Sequence, residues 1–388
     1  MCTLYKKDKG EVAAMILDDL VNVQCPIGVK TIENTYRTIW EGMDGYQGLG
    51  RFTLFPRADN NFLVWPLTPE EVCGTLKSMK KRSAAGPDRI KLADLIKWDG
   101  KGLKLSAAYN CMLYNGKLPT CLKGSRTTLL PKTSDHRSLS EIGNWRPITV
   151  GSVILRILSN ILASRLNEAC PLHQSQKGFV KRHGCAENVF TLKGLLTLSR
   201  KQNRTIAVAV IDLARAFDSV SHVHIRDVLR RRGVDDLVIQ FIMDSYHKAY
   251  TKIETANGSS AVIKIRLGVK QGDPMSPVLF NLAIDPLLHF LERKGRGFEA
   301  AGHSFTSLAY ADDLILVSDS RRGLQRNLNI LQEFLSETGL KVKITKCGGF
   351  ILDRVSRTRV LNACGPLRLC DQDLPWIGAG DRFNYLGV

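Results

Sequence analysis

The stretch "LAYADDLILVSD", residues 308–319, sets two adjacent aspartates between two apolar runs. Short runs of Leu, Ile, Val and Ala bounded by polar residues read as strands, and charges belong at strand ends. Asp312 and Asp313 would then occupy a tight hairpin, where Asp tolerates turn geometry. Like charges this close repel, and burying them unpaired is costly. Either they sit at an exposed turn of no chemical consequence, or a cation lies between them and another acid. On this segment alone the two readings stand equal.

A second stretch shifts the balance. "TIAVAVIDLARAF", residues 205–217, is a run of β-branched and small apolar residues that ends its strand pattern at Asp212. Such a run suits a strand buried on both faces. If the two strands are neighbours, Asp212 and Asp312 reach a common spot on the rim of one sheet. Carboxylates crowded there are relieved by hard cations, and Mg²⁺ takes oxygen ligands from a few carboxylates and substrate phosphates. A pair of such ions about 3.5–4 Å apart clamps the attacking and leaving oxygens of an in-line phosphoryl transfer.

Composition narrows the partner. The 388 residues carry a formal charge of +18, with 44% hydrophobic residues. That length holds one large domain or two to three interlocked lobes. The charge calls for a polyanion, and nucleic acid is the common one. An anionic membrane would need a basic amphipathic helix, which no segment offers, and no run is long and apolar enough for a span. "VAAMILDDLVNV", residues 12–23, is too short and too acidic for a signal peptide. The ten cysteines form no CxxC pair, and the eight histidines suggest no ligand set. Reduced thiols in a soluble intracellular protein are expected.

The organisation reads as α+β, without repeats or low-complexity linkers. "VKTIENTYRTIW" (29–40) looks helical and "EGMDGYQGLG" (41–50) is glycine-rich loop. Thr68 is an N-cap with Pro69 at the first helical position, and the helix is expected to run through "CGTLKSMKKR" to "SAAGPD". "GSVILRILSNILASRLNEA" (151–169) has helical apolar spacing, with Arg156 and Arg165 expected on the opposite side. "SHVHI", with His222 and His224, reads as a helix start. "VIKIRLGVKQGDPMSP" reads as a strand leading into a loop, with Ser276 capping the helix that follows Pro277. "LNILQEFLSETG" is a further amphipathic helix ending in glycine. One central sheet is expected.

Several blocks now stand together in order: "GPDRI", "TLLPK", "NWRPITVGSVILRILSNILASRL", "QKGFVKRHGCAENV", "IDLARAFDSV", "GVKQGDPMSPVLFNLAID", "YADD" and the terminal "FNYLG". "YADD" alone would be weak. The ordered set over about residues 65–388 resembles the reverse transcriptase of non-LTR retrotransposons, and most of all the site-specific elements that insert into ribosomal RNA genes. The resemblance implies a right-hand polymerase fold of fingers and palm, with a central antiparallel palm sheet packed by helices and the thumb absent. It implies an N-terminal extension over 1–64, fingers over 65–195 and palm over 196–388, the transcriptase domain as a whole spanning about 110–388.

The resemblance also implies roles. Asp212 and Asp312 match the two metal-binding aspartates, with the Leu213 carbonyl as an extra ligand and Asp313 supporting metal or primer. Two Mg²⁺ are implied, with Mn²⁺ as the alternative ion. Phe217 resembles the aromatic gate against a ribose 2′-OH, core packing being its plainer reading. Lys132 and Arg146 match the residues that hold the incoming triphosphate, for which a lone surface charge is the plain alternative. Gln271 and Gly272 resemble the loop beneath the templating base pair, where glycine lets backbone approach a ligand. Lys346 matches a lysine that protonates the pyrophosphate leaving group. Lys177, Lys181 and Arg182 would flank template or triphosphate, and Tyr385, Leu386 and Gly387 resemble the hairpin that grips the primer end. The implied partners are an RNA template, a DNA primer or nicked target DNA, and dNTPs, with no membrane; the family implies the nucleus after cytoplasmic synthesis.

Two residues depart from the pattern. Arg89 stands where the family usually has glycine, and Lys343 where it has asparagine before Lys346. The sequence stops after the primer-grip block, without the downstream zinc knuckle and endonuclease or the upstream DNA-reading segments such elements usually carry. Two rival functions therefore stand beside the polymerase. One is a catalytically silent RNA-binding remnant of such an element; the other is an RNA-dependent RNA polymerase, against which the bulky Phe217 speaks.

Overall fold

The computed structural model describes residues 25–133, 135–180, 184–355, 358–361, 366–378, 380–381 and 385–386. In chain order, helices α1 (Val29–Trp40), α2 (Pro69–Ser78), α3 (Leu92–Asp99) and α4 (Leu103–Tyr114) precede strands β1 (Gly124–Pro131) and β2 (Trp145–Gly151). Next come α5 (Val153–Ala169), α6 (Gly184–Lys201), β3 (Ile206–Asp212), the short α7 (Ala216–Ser219), α8 (His222–Arg231), α9 (Asp236–Tyr246), β4 (Tyr250–Thr255), β5 (Gly258–Ser259) and β6 (Ile263–Lys264). The last part holds α10 (Ser276–Lys294), β7 (Phe298–Ala300), β8 (His303–Phe305), β9 (Ser307–Tyr310), β10 (Asp313–Ser318), α11 (Arg321–Thr338), β11 (Gly348–Val355), β12 (Thr358–Leu361), β13 (Arg368–Leu369) and β14 (Gln372–Asp373).

Two five-stranded sheets replace the single expected one. The second runs β12-β11-β3-β10-β9 and is antiparallel throughout. Its central strands are buried on both faces by strict alternation. Ala207, Ala209, Ile211, Leu314 and Leu316 join the main core with α10 and α11, while Ile206, Val208, Ile315 and Val317 pack with Leu192 and Leu195 of α6. This is the two-sided burial that the apolar run 205–211 requires.

The first sheet runs β2-β1-β4-β5, with β6 also on β4, and joins β1 to β4 in parallel. Its strands carry buried polar side chains. The Thr127 hydroxyl lies 2.8 Å from that of Thr149 and 2.7 Å from that of Thr251, a chain of hydroxyls across three strands. Arg126 pairs with Glu254 at 2.7 Å. Of the segment expected as a strand before the "KQGDP" loop, Ile263–Lys264 forms a strand on β4 and Leu267 a one-residue bridge with Ser221.

The helices follow their caps. Thr68 Oγ1 accepts from the Glu71 N–H at 3.2 Å with Pro69 at the first turn, as expected. α2 stops at Ser78, earlier than expected, because Met79 takes extended backbone and packs against the core. Ser221 Oγ caps α8, and α11 ends at Gly339 with φ +74°. Ser276 is the first residue of α10, not its cap; Met275 holds the cap position. Arg156 and Arg165 of α5 are buried, contrary to expectation. Arg156 donates to the Ala84 carbonyl, and Arg165 pairs with Glu71 at 2.6 Å while donating to the Trp65 carbonyl. A guanidinium that finds carbonyls and a carboxylate can leave water. Among the described residues, no helix is long and apolar enough to cross a membrane.

Candidate active site

Strand β10 begins at Asp313, directly opposite Asp212 at the end of β3. Asp313 also pairs with Tyr310 across the β9–β10 hairpin, which leaves Ala311 and Asp312 as the turn. The hairpin expected at these aspartates is present, and its turn lies beside the strand end that carries Asp212. The three carboxylates feel one another. Loss of water raises the Asp312 carboxyl above its ordinary value, the charge of Asp212 adds to that, and Arg146 and Lys132 oppose it. Loss of water around its carboxyl, then the charges of Asp312 and Asp212, push Asp313 up to about 6, although the residue as a whole stays exposed. Asp312 and Asp313 thus hold their protons more tightly than free carboxyls, and oxygen donors so placed suit a hard divalent cation.

The backbone under Asp212 is fixed by the segment before β11. The Lys343 N–H donates to the Asp212 carbonyl at 3.0 Å, and Ala214 N–H donates to Lys341 O at 2.7 Å. Leu213 forms a one-residue antiparallel bridge with Val342. Lys343, where the family has asparagine, thus contributes its backbone to this ladder. Lys346 brings its Nζ to 3.8 Å from Asp212 Oδ2 while its side chain stays more than half exposed. Cys347 Sγ packs beneath, 3.3 Å from the Asp212 nitrogen.

Cationic groups face the acids from the first sheet. Lys132 follows β1, and Arg146 lies opposite Leu130 on β2. Desolvation, with the charges of Arg146 and Lys346, lowers the Lys132 amine from its ordinary value, and its Nζ donates to the Gly143 carbonyl at 2.8 Å. Three cations thus stand near one another beside the acids, with Asp218 partly offsetting their effect on Lys132. Gln271 joins the same sheet: its carbonyl accepts from Thr149 N–H at 2.7 Å. Gly272 has φ +127°, and a Cβ there would meet Thr149 O at 2.6 Å, so the close approach requires glycine.

Phe217 stacks on Phe280 with ring centroids 4.6 Å apart and meets Phe179 edge-on at 5.9 Å. It is only partly buried, so part of the ring packs in the core and part stays accessible. Its neighbour Asp218 is a site residue the sequence reading missed. Asp218 is buried, accepts from Trp40 Nε1 at 3.2 Å and from Gln271 Nε2 at 3.1 Å, and burial pushes it up to about 6. The signal was its position, beside the gate candidate in "AFDS".

The expected nucleic-acid contacts divide. Lys177 is engaged inside the fold, its Nζ 2.9 Å from Glu187 and its N–H on the Ala309 carbonyl. Tyr385 is buried against the second sheet, in the cluster of Val208, Ile315 and Phe350, and burial raises its phenol. The Leu386 carbonyl accepts from the Cys185 thiol at 3.7 Å. Lys181, Arg182 and Gly387 lie outside the described residues.

Away from these acids, His173, His289 and Glu292 bring ligand atoms within 4.8 Å of one another, a cluster not legible in the sequence. His173 Nδ1 accepts from Ser175 N–H at 3.1 Å, which puts the imidazole proton on Nε2, 3.2 Å from Glu292. Burial lowers the His173 imidazole from its ordinary value, with the Glu292 carboxylate beside it partly offsetting the effect.

Comparison with known proteins agrees with this geometry. The family described as "Reverse transcriptase (RNA-dependent DNA polymerase)" matches residues 130–388. The chain is 30% identical over 389 residues to a retrovirus-related Pol polyprotein from type-1 retrotransposable element R2 of Nasonia vitripennis, covering 99% of this chain and 36% of that protein. It is 35% identical over 281 residues to the corresponding polyprotein of type-2 element R2DM of Drosophila melanogaster, covering 72% and 26%. A Popillia japonica R2 polyprotein is 34% identical over 325 residues, covering 83% and 44%. The chain spans less than half the length of these relatives.

Proposed function

Because the chain belongs to the reverse transcriptase family, in the non-LTR retrotransposon branch of the R2 elements, we propose that it catalyses RNA-templated addition of dNTPs to a primer 3′-hydroxyl, with its second sheet as palm and its first sheet as part of the fingers. The observation that carries this reading is the register of β3 and β10, with Asp313 opposite Asp212 and Asp312 in the connecting turn.

The donor set fits divalent metal: Asp212 opposite Asp313, Asp312 in the adjoining turn, and the Leu213 carbonyl next along the chain. Asp212 and Asp312 would hold two Mg²⁺, supported by Asp313, and the metal would supply charge neutralisation at the α-phosphate and at the attacking oxygen. The remaining work belongs to side chains. Lys132 and Arg146 bind the triphosphate oxygens, which relieves their mutual repulsion. The Lys132 amine, lowered first by desolvation and then by the charges of Arg146 and Lys346, holds its proton more firmly when phosphate arrives. Lys346, beside Asp212, is placed to hold a proton near the departing pyrophosphate. Phe217 fills the space a 2′-hydroxyl would need, and Asp218 holds Gln271 beneath the templating pair. Positioning and electrostatics supply most of the rate in such a reaction.

The +18 charge supports a nucleic-acid partner, with template RNA and a DNA primer or nicked DNA as the substrates. Such a chain would act in the nucleus. Primer extension on an RNA template with Mg²⁺ and dNTPs tests the reading, beside Asp312→Ala. Incorporation that vanishes in the variant is expected. RNA binding without incorporation by the wild-type chain would favour the silent remnant, and use of rNTPs in place of dNTPs the RNA polymerase.

A further inference from the structure

The turn that carries Asp312 is built in an uncomfortable conformation. Ala311 has φ +55°, a region L-residues with a Cβ avoid. Natural two-residue hairpins place glycine or asparagine at such positions. Something outside the hairpin must therefore hold it there, and one buried side chain does so. Gln176 Oε1 accepts from the Ala311 N–H at 2.8 Å and from the Gly178 N–H at 2.9 Å, filling both lone pairs of one oxygen. Its Nε2 faces the Ala311 carbonyl at 3.4 Å. Gln176 is almost wholly buried.

The surrounding contacts make this a built clamp. Residues 175–177 run along the free edge of β9, where Ser175 O accepts from Ala309 N–H at 3.0 Å and Lys177 N–H donates to Ala309 O at 2.9 Å. Asn188 Nδ2 donates to the same Ala309 carbonyl at 3.0 Å. Asn281 Nδ2 of α10 fixes the Gly178 carbonyl at 2.8 Å. A Cβ on Gly178 would lie 2.3 Å from the Ala311 nitrogen, so the segment presses directly on the turn.

We propose that Gln176 is a positioning residue of the polymerase site, which acts by holding Ala311 in its left-handed conformation and thereby orienting the Asp312 carboxylate toward Asp212. It touches neither substrate nor metal. Rotation at Ala311 swings the adjacent Asp312, and small misplacements of a catalytic group cost rate steeply. The proposal rests on the polymerase reading above for its kinetic consequence, and on the turn geometry alone for its structural one.

The test uses Gln176→Met, which keeps the volume and removes the acceptor, with and without Ala311→Gly. Hydrogen exchange of peptides covering the β9–β10 turn is measured beside kcat and the KM for dNTP in primer extension. In Gln176→Met, turn amides exchange about tenfold faster while α5 and α10 stay protected. The kcat falls about tenfold with KM within about twofold. Ala311→Gly restores most of kcat, because glycine holds the turn unaided. Gln176→Glu keeps the acceptor and leaves exchange slow; it carries the structural test if Gln176→Met does not fold. Slow exchange with intact kcat in Gln176→Met, fast exchange in Gln176→Glu, or a loss of kcat that Ala311→Gly leaves unrepaired, overturns the proposal. If the wild-type chain incorporates no nucleotide, the polymerase reading fails and exchange alone decides the clamp.

Discussion

Asp313 faces Asp212 directly across the β3–β10 pair, so two carboxylates share one rung of a ladder with a third in the turn beside them. Like charges on opposed residues destabilise a sheet. Without a cation, the second sheet carries a cost at the rim where its chemistry would take place.

That cost predicts an unusual pH dependence. The Asp313 and Asp218 carboxyls, both pushed up to about 6, hold protons more tightly in the folded chain than in the unfolded one. Their contribution to stability is full below the ordinary carboxylate range and is lost as pH rises through about 6. Thermal unfolding of the metal-free chain is expected at higher temperature near pH 5 than near pH 7.5, for this pair of groups. Asp313→Asn narrows the difference. Mg²⁺ raises the melting temperature more at the higher pH, where the carboxylates are free to bind it. Equal Mg²⁺ shifts at both values would contradict this.

Phe217 packs in the core and is also the proposed gate, and one substitution separates the two roles. Phe217→Val removes the stack on Phe280 and costs about 1–2 kcal/mol in urea unfolding, less than a fully buried ring because Phe217 is only partly buried. Discrimination against rNTPs should fall by roughly tenfold or more, since a steric gate works by unfavourable contact. A stability loss with unchanged discrimination would leave Phe217 a core residue only.

Arg89 has φ +58° and is exposed. The left-handed conformation costs a residue with a Cβ about 1–2 kcal/mol, of which glycine gives back about 0.4–1 through the entropy of the unfolded chain. Arg89→Gly is therefore expected to stabilise by about 0.5–1 kcal/mol in equilibrium unfolding. A destabilising result would show that the Arg89 side chain makes a contact worth more than the strain.

Arg232 and Asp285 form an ion pair with both side chains fully buried. Asp285 also accepts from the His173 N–H at 2.7 Å and lies 3.1 Å from His289 Nε2. Asp285→Ala leaves a guanidinium without its partner in the core and should cost about 3–5 kcal/mol. Arg232→Met with Asp285→Leu, tested together, should recover much of that loss in the same unfolding measurement.

The sequence made the second sheet legible because β3 and β10 are buried on both faces and have little but apolar residues to show. It made the acids legible because no buried-strand reading tolerates them without a counter-charge. The first sheet was hidden by its chemistry. Ser125, Arg126, Thr127 and Thr128 of β1 are buried yet polar, and what makes them tolerable, Thr251 and Glu254, lies more than a hundred residues along the chain. Arg156 and Arg165 misled for the same reason: a helical wheel assigns arginine to solvent, and only the fold reveals the carbonyls that receive it. Gln176 and Asp218 were passed over because a single polar residue carries no mark of what it will bind.

The parallel pairing of β1 with β4 has a consequence for synthesis. β1 ends at Pro131, and its neighbour does not begin until Tyr250. Counted from the end of β2 at Gly151, at ~5–20 residues per second the β1–β2 hairpin waits roughly 5–20 s on the ribosome with an unpaired edge. Lys132 and Arg146 belong to that hairpin, while β3, with Asp212, emerges during the wait. The half of the candidate site that carries Lys132 and Arg146 is thus begun first and closed later, and the yield of folded chain should depend on how well that edge is shielded as the ribosome moves on.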